Sequence, residues 1–229
     1  FLISFLLPTV GVASTFWMAG LLTLIPVFLT FFAREPNAQA AGKPAGKQKL
    51  NLGELFQNQA YLLFLGFSLI FYICTTCEAN YIPYFMAAVD VPSEQYGVLM
   101  GYRALFEVPF LLLMVRRRFP LRILVIFSPV LMALECLGFF LFARSLPTML
   151  LFCTFYGLGN GLFIGSSLNY LYELAPDHLK ASAQAFFVAV SSVAGILGNL
   201  VGGVVYDAVG AKGFYLLVAG VFLLSFGVF

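Results

Sequence analysis

The chain has 229 residues, of which 62% are hydrophobic and 10% charged, and its formal net charge is +2. Water-soluble domains carry about 25% charged residues, so this composition excludes a water-soluble fold. The small net charge and the lack of a basic face exclude a nucleic-acid partner.

Eight apolar segments follow one another along the chain. The first, residues 1–12, is shorter than the roughly 20 residues that span a bilayer, whereas the second, residues 16–33, is long enough. Because lipid offers no partner to bare backbone groups, each segment is predicted to be helical, and the fold class is an all-α polytopic bundle. The other segments are 59–84, 96–115, 121–143, 148–172, 182–206 and 213–229.

The polar stretch of residues 34–58 separates the second and third segments. It is rich in Ala, Gly, Gln and Lys and contains Pro36 and Pro44, a composition typical of a flexible linker. Helices on both sides of one linker are the layout of a two-lobed transporter. We therefore expect residues 1–33 to end an amino-terminal lobe (its fifth helix in part, and its sixth). Residues 59–229 then form a six-helix carboxy-terminal lobe, and the whole is a fragment of a longer protein.

Basic residues predict the orientation, because cytoplasmic loops are enriched in Lys and Arg. One set of loops carries only Arg144 and Lys212. The opposite set carries Arg34, Lys43, Lys47, Lys49, Arg116, Arg117, Arg118, Arg122 and Lys180. This second set includes the linker and the turn around residues 116–118, which are therefore predicted to face the cytoplasm of an inner (plasma) membrane.

Four charged residues stand out well inside apolar segments, where charge is costly and usually functional. Arg103 and Glu107 lie one helical turn apart, which predicts an ion pair for which a solute or proton could compete; the alternative is a static pair that fixes packing. Glu78, followed by Asn80, lies toward the outer end of its segment and is either a site residue or an interfacial carboxylate. Glu135 suits a proton carrier, or a neutral acid in an interhelical hydrogen bond.

Weaker signals come from other polar residues. Asn160, Asn169 and Asn199 join helices as often as they bind solutes. His178 is expected to be a solvated loop residue. The four cysteines are expected to be buried apolar side chains, because the CxxC pair lies inside an apolar helix, and neither a metal nor a cofactor is expected.

Glycines at helical spacing predict close helix packing or sliding. They are Gly157, Gly161 and Gly165 in the sixth segment and Gly195, Gly198, Gly202 and Gly203 in the seventh.

From the fourth segment onward the chain resembles the major facilitator superfamily, and the resemblance extends from about Tyr61 to the end. Within the superfamily it is most similar to the branch of lactose permease, the nucleoside–proton symporters and the phenylpropionate permeases. The similar stretches are residues 96–101, 105–109, 116–119, 173–184 and 202–210.

The resemblance implies a solute-facing or coupling role for Glu107, which matches the eighth-helix carboxylate that binds galactoside in lactose permease. Elsewhere the chain departs from that pattern. Glu135 stands where the branch tends to carry an arginine, and residues 161–172 lack the histidine and glutamate of the proton path. The eleventh-helix lysine is replaced near Ser191.

We therefore predict a secondary active transporter of a small polar organic solute, such as a sugar or nucleoside, that works by alternating access as a proton symporter. Its partners would be the solute, protons, the bilayer and the amino-terminal lobe. One alternative is an exporter of sugars or drugs, and another is a non-transporting receptor or scaffold; an enzyme is not expected. The predicted site residues are Glu107, Arg103, Glu135, Glu78, Asn80 and Asn160.

Overall fold

The computed structural model describes residues 17, 20–26, 28, 52–114 and 120–228, which fall into two compact units, residues 1–51 and 52–229. In the first unit the described residues are all helical, within the predicted second segment. The predicted first segment and residues 34–51 of the predicted linker lie outside the described residues.

The regular elements in the described part of the second unit are all helices, which confirms the predicted fold class. Two short 3₁₀ turns, Ser93–Gln95 and Asp177–Leu179, precede the third and sixth helices. Gly210 (φ 70°, ψ 173°) divides the last helix into α6a, residues 180–209, and α6b, residues 211–228, because only glycine adopts these angles without strain. The helices are α1 Gly53–Gln57, α2 Gln59–Ala88, α3 Tyr96–Met114, α4 Leu121–Phe142, α5 Leu146–Leu174 and α6 Lys180–Val228.

Helix boundaries follow local capping chemistry. The side-chain oxygen of Asn58 accepts hydrogen bonds from the backbone N–H groups of Ala60 (3.0 Å) and Tyr61 (3.3 Å), so it caps the start of α2. At the start of α5, the Ser145 N–H donates to Thr148 Oγ1 over 3.1 Å. The six predicted segments after the linker correspond to α2, α3, α4, α5, α6a and α6b. One detail is corrected: Gly53–Gln57, predicted as flexible linker, is helical with Leu55 buried.

Four described stretches are long and apolar enough to cross a membrane: Gln59–Ala88, Leu121–Phe142, Leu146–Leu174 and Asp177–Gly227. Large apolar side chains remain exposed on them, such as Val204, which is 73% exposed. Such surfaces are stable against lipid rather than water.

The long helices alternate in direction, as contacts at their two ends show. At the linker end, Asn58 Nδ2 donates to the Leu174 carbonyl (2.9 Å). At the opposite end, which we call the Asp90 end, the Phe85 ring stacks on Phe139, with centroids 5.2 Å apart, and contacts Tyr215. A buried aromatic core fills the bundle between the two ends and fixes the helices that carry the polar residues described next. It includes Phe64, Phe67, Phe71, Phe163 and Phe222.

Candidate functional site

Three of the four intramembrane charges meet inside the bundle. Arg103 on α3 is 2% exposed, and Glu78 on α2 and Glu135 on α4 are fully buried. Arg103 Nη1 donates to Glu78 Oε2 (3.2 Å) and Nη2 donates to Glu78 Oε1. Nη2 also donates to Glu135 Oε1. We call these three residues the arginine triad.

Two further helices complete the surroundings of the arginine triad. Arg103 Nε donates to Cys153 Sγ on α5 (3.3 Å), and Arg103 Cζ lies 3.9 Å from the centroid of the Tyr156 ring. The Tyr215 hydroxyl on α6b donates to the main-chain oxygen of Glu78 (3.1 Å). The guanidinium group therefore has ionic, sulfur and aromatic partners from three neighbouring helices.

The arginine triad carries an excess of one negative charge when both carboxylates are ionised. Glu78 uses both of its oxygens on Arg103, whereas Glu135 uses only Oε1. Glu135 Oε2 is buried and accepts no hydrogen bond from a nitrogen or oxygen donor among the described residues, whereas the Cys153 thiol donates a weak hydrogen bond to the Glu135 carboxylate. The uncompensated charge is costly in this buried setting, because only one guanidinium group faces two carboxylates.

Glu107 lies apart from the arginine triad. The predicted ion pair of Arg103 with Glu107 is wrong, because the guanidinium group reaches Glu78 and Glu135 on neighbouring helices instead. Asn160 Nδ2 on α5 donates to Glu107 Oε2 (3.2 Å), and both residues are half-buried. We call Glu107 and Asn160 the carboxylate–amide pair. At 1.5 Å per residue it lies about 17–21 Å from the Asp90 end of its helices, near the middle of a hydrocarbon layer of about 30 Å.

Close packing joins the helices that carry these residues. A Cβ atom added at Gly157 on α5 would lie 2.7 Å from Phe106 Cβ and would also collide with the main chain of Arg103 on α3. On the other side of α5, a Cβ at Gly159 would lie 2.9 Å from the Ser128 carbonyl of α4. The glycines let α5 approach both helices closely.

Asn80 and Asn199 form a separate cluster between α2 and α6a, whereas Asn169 donates to the Gly165 carbonyl of its own helix (3.2 Å). Asn80 Nδ2 donates to Asn199 Oδ1 (2.8 Å), and both side chains are exposed. The ring of Tyr81 stacks on Tyr206, with centroids 5.2 Å apart. The structure thus does not bring Asn80 into the arginine triad, although Glu78 is only half a turn away on the same helix.

The glycines of the seventh segment differ in their surroundings. A Cβ at Gly198 would lie 2.9 Å from the Ile73 carbonyl, and one at Gly202 would lie 2.8 Å from Tyr81 Cε2, so both permit close contact with α2. A Cβ at Gly195 would meet nothing within 4 Å. In the sixth segment, Gly161 is buried and Gly165 is half-buried.

Other predictions concern the cysteines, Glu78 and His178. All four cysteines are buried and free, as expected for apolar packing residues. The interfacial interpretation of Glu78 is wrong, because its side chain is fully buried against Arg103. His178 is partly exposed near the linker end, and its Nε2 lies 3.3 Å from Glu54 Oε2. Among the described residues, no cluster of His, Cys, Asp and Glu could hold a metal ion.

Sequence reasoning missed Cys153, Tyr156 and Tyr215 as partners of the arginine triad. Each is an ordinary apolar or aromatic residue in its own segment, so no local pattern distinguishes it. One signal was present in the sequence: Tyr156 and Asn160 lie one turn apart, like Arg103 and Glu107. This equal spacing could have indicated that the polar residues of α3 and α5 contact each other.

With this geometry established, comparison with known proteins identifies the family. Residues 2–217 match the model of the MFS_1 like family. The chain belongs to the MFS_1 like family. An uncharacterized MFS-type transporter of Methanocaldococcus jannaschii is 26% identical over 188 residues, which are 80% of this chain and 46% of that protein. The chain therefore spans about half the length of this curated relative.

Membership in this MFS family confirms the predicted superfamily and agrees with the bundle of apolar helices. The narrower likeness to the lactose permease branch remains a prediction.

Proposed function

We propose that the chain is the carboxy-terminal part of a secondary active transporter that moves a small polar organic solute by alternating access, coupled to protons. The observation that carries this proposal is the carboxylate–amide pair. Glu107 is half-buried at mid-depth in an apolar bundle, and among the described residues it has an amide partner, Asn160, but no cationic one. Intramembrane carboxylates without a counter-charge usually line a path for solutes or ions.

The chemistry of this pair favours solutes rich in hydroxyl groups. Glu107 accepts hydrogen bonds, and Asn160 both donates and accepts them, so together they match the hydroxyls of a sugar or nucleoside. Arg103, the cation on the same helix, is held by two carboxylates and is not free to attract an anionic solute. The proposal includes the predicted likeness to the lactose permease branch, in which lactose permease and the nucleoside–proton symporters carry such solutes.

Alternating access requires a second lobe that faces the first across a central site. The matched relative is about twice as long as the region shared with this chain, which leaves length for such a lobe. In this proposal the protein resides in the inner (plasma) membrane with residues 34–58 on the cytoplasmic side. The amino-terminal lobe would then supply the rest of the site.

The test uses the full-length protein reconstituted in proteoliposomes. A panel of labelled sugars, nucleosides and aryl acids is offered with an imposed pH gradient, and uptake is measured for wild type and Glu107→Gln. We expect a hydroxyl-rich solute to accumulate in wild type and its uptake to fall about a hundredfold in Glu107→Gln, since an intramembrane carboxylate would be lost from the site.

The matched control is Glu94→Gln, which removes an exposed carboxylate from the turn before α3 and should leave uptake unchanged. Equal uptake by wild type and Glu107→Gln would remove the carboxylate–amide pair from the mechanism. Solute movement only out of the vesicles, driven by protons that enter down an inward gradient, would favour the exporter instead.

A further inference from the structure

A short helix at the end of the predicted linker is docked on the bundle. Leu55 of α1 is fully buried, and the Phe56 ring meets the Phe186 ring of α6a edge to face, with centroids 5.2 Å apart. The turn between α5 and α6a, residues 175–179, lies against α1 and carries His178. We call α1 together with this turn the linker clamp. It fixes the end of the linker to the bundle.

Neutral contacts hold the linker clamp whatever the pH. Asn58 Nδ2 donates to the Leu174 carbonyl at the end of α5 (2.9 Å). The Tyr61 hydroxyl donates to the Ala183 carbonyl in the first turn of α6a (3.3 Å). Amide groups do not titrate, and a tyrosine hydroxyl stays protonated between pH 5 and 8. Together with the buried side chains of α1, these bonds keep the linker clamp docked over that range.

One contact in the linker clamp depends on pH. His178 Nε2 lies 3.3 Å from Glu54 Oε2, and the two side chains are 39% and 44% exposed. An imidazole changes its charge between about pH 5 and 8, whereas an exposed carboxyl group is ionised throughout that range. The contact is therefore an ion pair on the acidic side of the range and a hydrogen bond from a neutral donor on the alkaline side.

The other charged groups near the imidazole keep their charge over the same range. Asp177, its neighbour in the turn, is paired with Lys180, whose Nζ lies 2.6 Å from Asp177 Oδ1. Glu173 lies in the last turn of α5 and Arg122 in the first turn of α4, at the same end of the bundle. The first turn of α2 carries no charged residue. His178 is the single histidine of the chain, so it alone gives the linker clamp a change of charge between pH 5 and 8.

We infer that Glu54 and His178 form a pH-dependent latch, which strengthens the linker clamp when the medium at the linker end becomes acidic. The imidazolium attracts the Glu54 carboxylate at low pH, and this attraction is lost as the pH rises and the imidazole releases its proton. An exposed ion pair changes an equilibrium by about two- to fivefold. The latch therefore adjusts the strength of the clamp, while the neutral contacts keep it docked.

The latch has a consequence for transport. In the proposed transporter the linker joins two lobes that move, so a stronger clamp should slow solute exchange when the predicted cytoplasmic side becomes acidic. This consequence rests on the proposed function, whereas the latch itself does not.

The latch is tested by hydrogen exchange of the full-length protein in lipid nanodiscs, without solute, at about pH 6 and about pH 8. The exchange rate of peptides that cover residues 52–58 is compared with the chemical rate at each pH, which gives a protection factor. We expect the wild-type protection factor to be about two- to fivefold higher at the lower pH. Glu54→Gln and His178→Gln should each abolish this difference. The matched control Glu94→Gln, at the Asp90 end, should keep it.

His178→Lys distinguishes a latch from a merely structural role of the imidazole ring. Lysine is positively charged at both pH values, so the protection factor should stay high at both. A structural role predicts instead the same loss as in His178→Gln. Equal protection of wild type at the two pH values, a pH difference that survives in Glu54→Gln, or low protection in His178→Lys overturns the inference.

The consequence for transport is measured separately, as solute exchange in proteoliposomes at about pH 8, where only the lysine variant keeps its positive charge. His178→Lys should exchange solute about two- to fivefold more slowly than His178→Gln. Equal rates would contradict an effect of the linker clamp on the lobes. If wild type moves no solute, the proposed function fails, but the hydrogen-exchange result still decides whether the latch exists.

Discussion

Replacing Arg103 by methionine is the most severe single change that the structure indicates. Arg103→Met removes three charge-assisted hydrogen bonds to Glu78 and Glu135 and leaves two buried carboxylates side by side. Three such bonds at about 1.5–3 kcal/mol each set an upper bound on the loss. Because the carboxylates escape part of it by taking up protons, we expect the free energy of unfolding to fall by about 3–5 kcal/mol, as in other broken buried ion pairs.

The assay is equilibrium unfolding of the full-length protein in mixed micelles at neutral pH, compared with a triple variant. Glu78→Met, Arg103→Met and Glu135→Met together remove every charge and should recover most of the stability, because a buried ion network replaced by apolar side chains of similar volume often costs little. The interaction among the three changes is then large and favourable. If Arg103→Met alone is as stable as wild type, or the triple variant is less stable than the single one, the three side chains do not act as a unit.

Three smaller effects are expected in the same unfolding assay. Gly157→Ala should lower the free energy of unfolding by about 1–3 kcal/mol, because its Cβ would collide with Phe106 and the α3 main chain. Gly66→Ala, whose Cβ would meet open space, should be neutral or slightly stabilising. Equal effects of the two changes would contradict the close α3–α5 contact. Asn58→Ala should cost about 1 kcal/mol through loss of the cap of α2, and an unchanged stability would show that the cap contributes nothing. Phe71→Ala, at a fully buried ring, should cost about 3–5 kcal/mol; less than 1 would mean that the core relaxes around the cavity.

The helices could be predicted from the sequence because each apolar run has to satisfy its own backbone in lipid. The predicted segment of residues 59–84 differs from helix Gln59–Ala88 only at its end, which lies four residues later in the structure. Pro83 lies in the last turns of a long helix, where neighbouring packing compensates for the lost backbone hydrogen bond. The kink at Gly210 lies between the predicted segments 182–206 and 213–229, because polar and small residues interrupt the apolar pattern there.

The partners of the charged residues could not be predicted in the same way. Spacing within a helix suggested Arg103 with Glu107, but the stronger partners, Glu78 and Glu135, lie on helices that only the tertiary fold brings near. A bidentate contact in a buried site outweighs an i,i+4 contact, which contributes only a few tenths of a kcal/mol. The sequence therefore predicted which charged residues lie inside the bundle, but it did not predict which of them contact each other.

The most direct test of the account is an electrode measurement of external pH when solute is added to proteoliposomes that contain the full-length protein. We predict that a hydroxyl-rich solute raises the external pH with wild type and fails to do so with Glu107→Gln, which cannot bind the solute. A solute that enters with wild type and leaves the external pH constant, or an equal pH rise with both proteins, would contradict proton-coupled transport through Glu107.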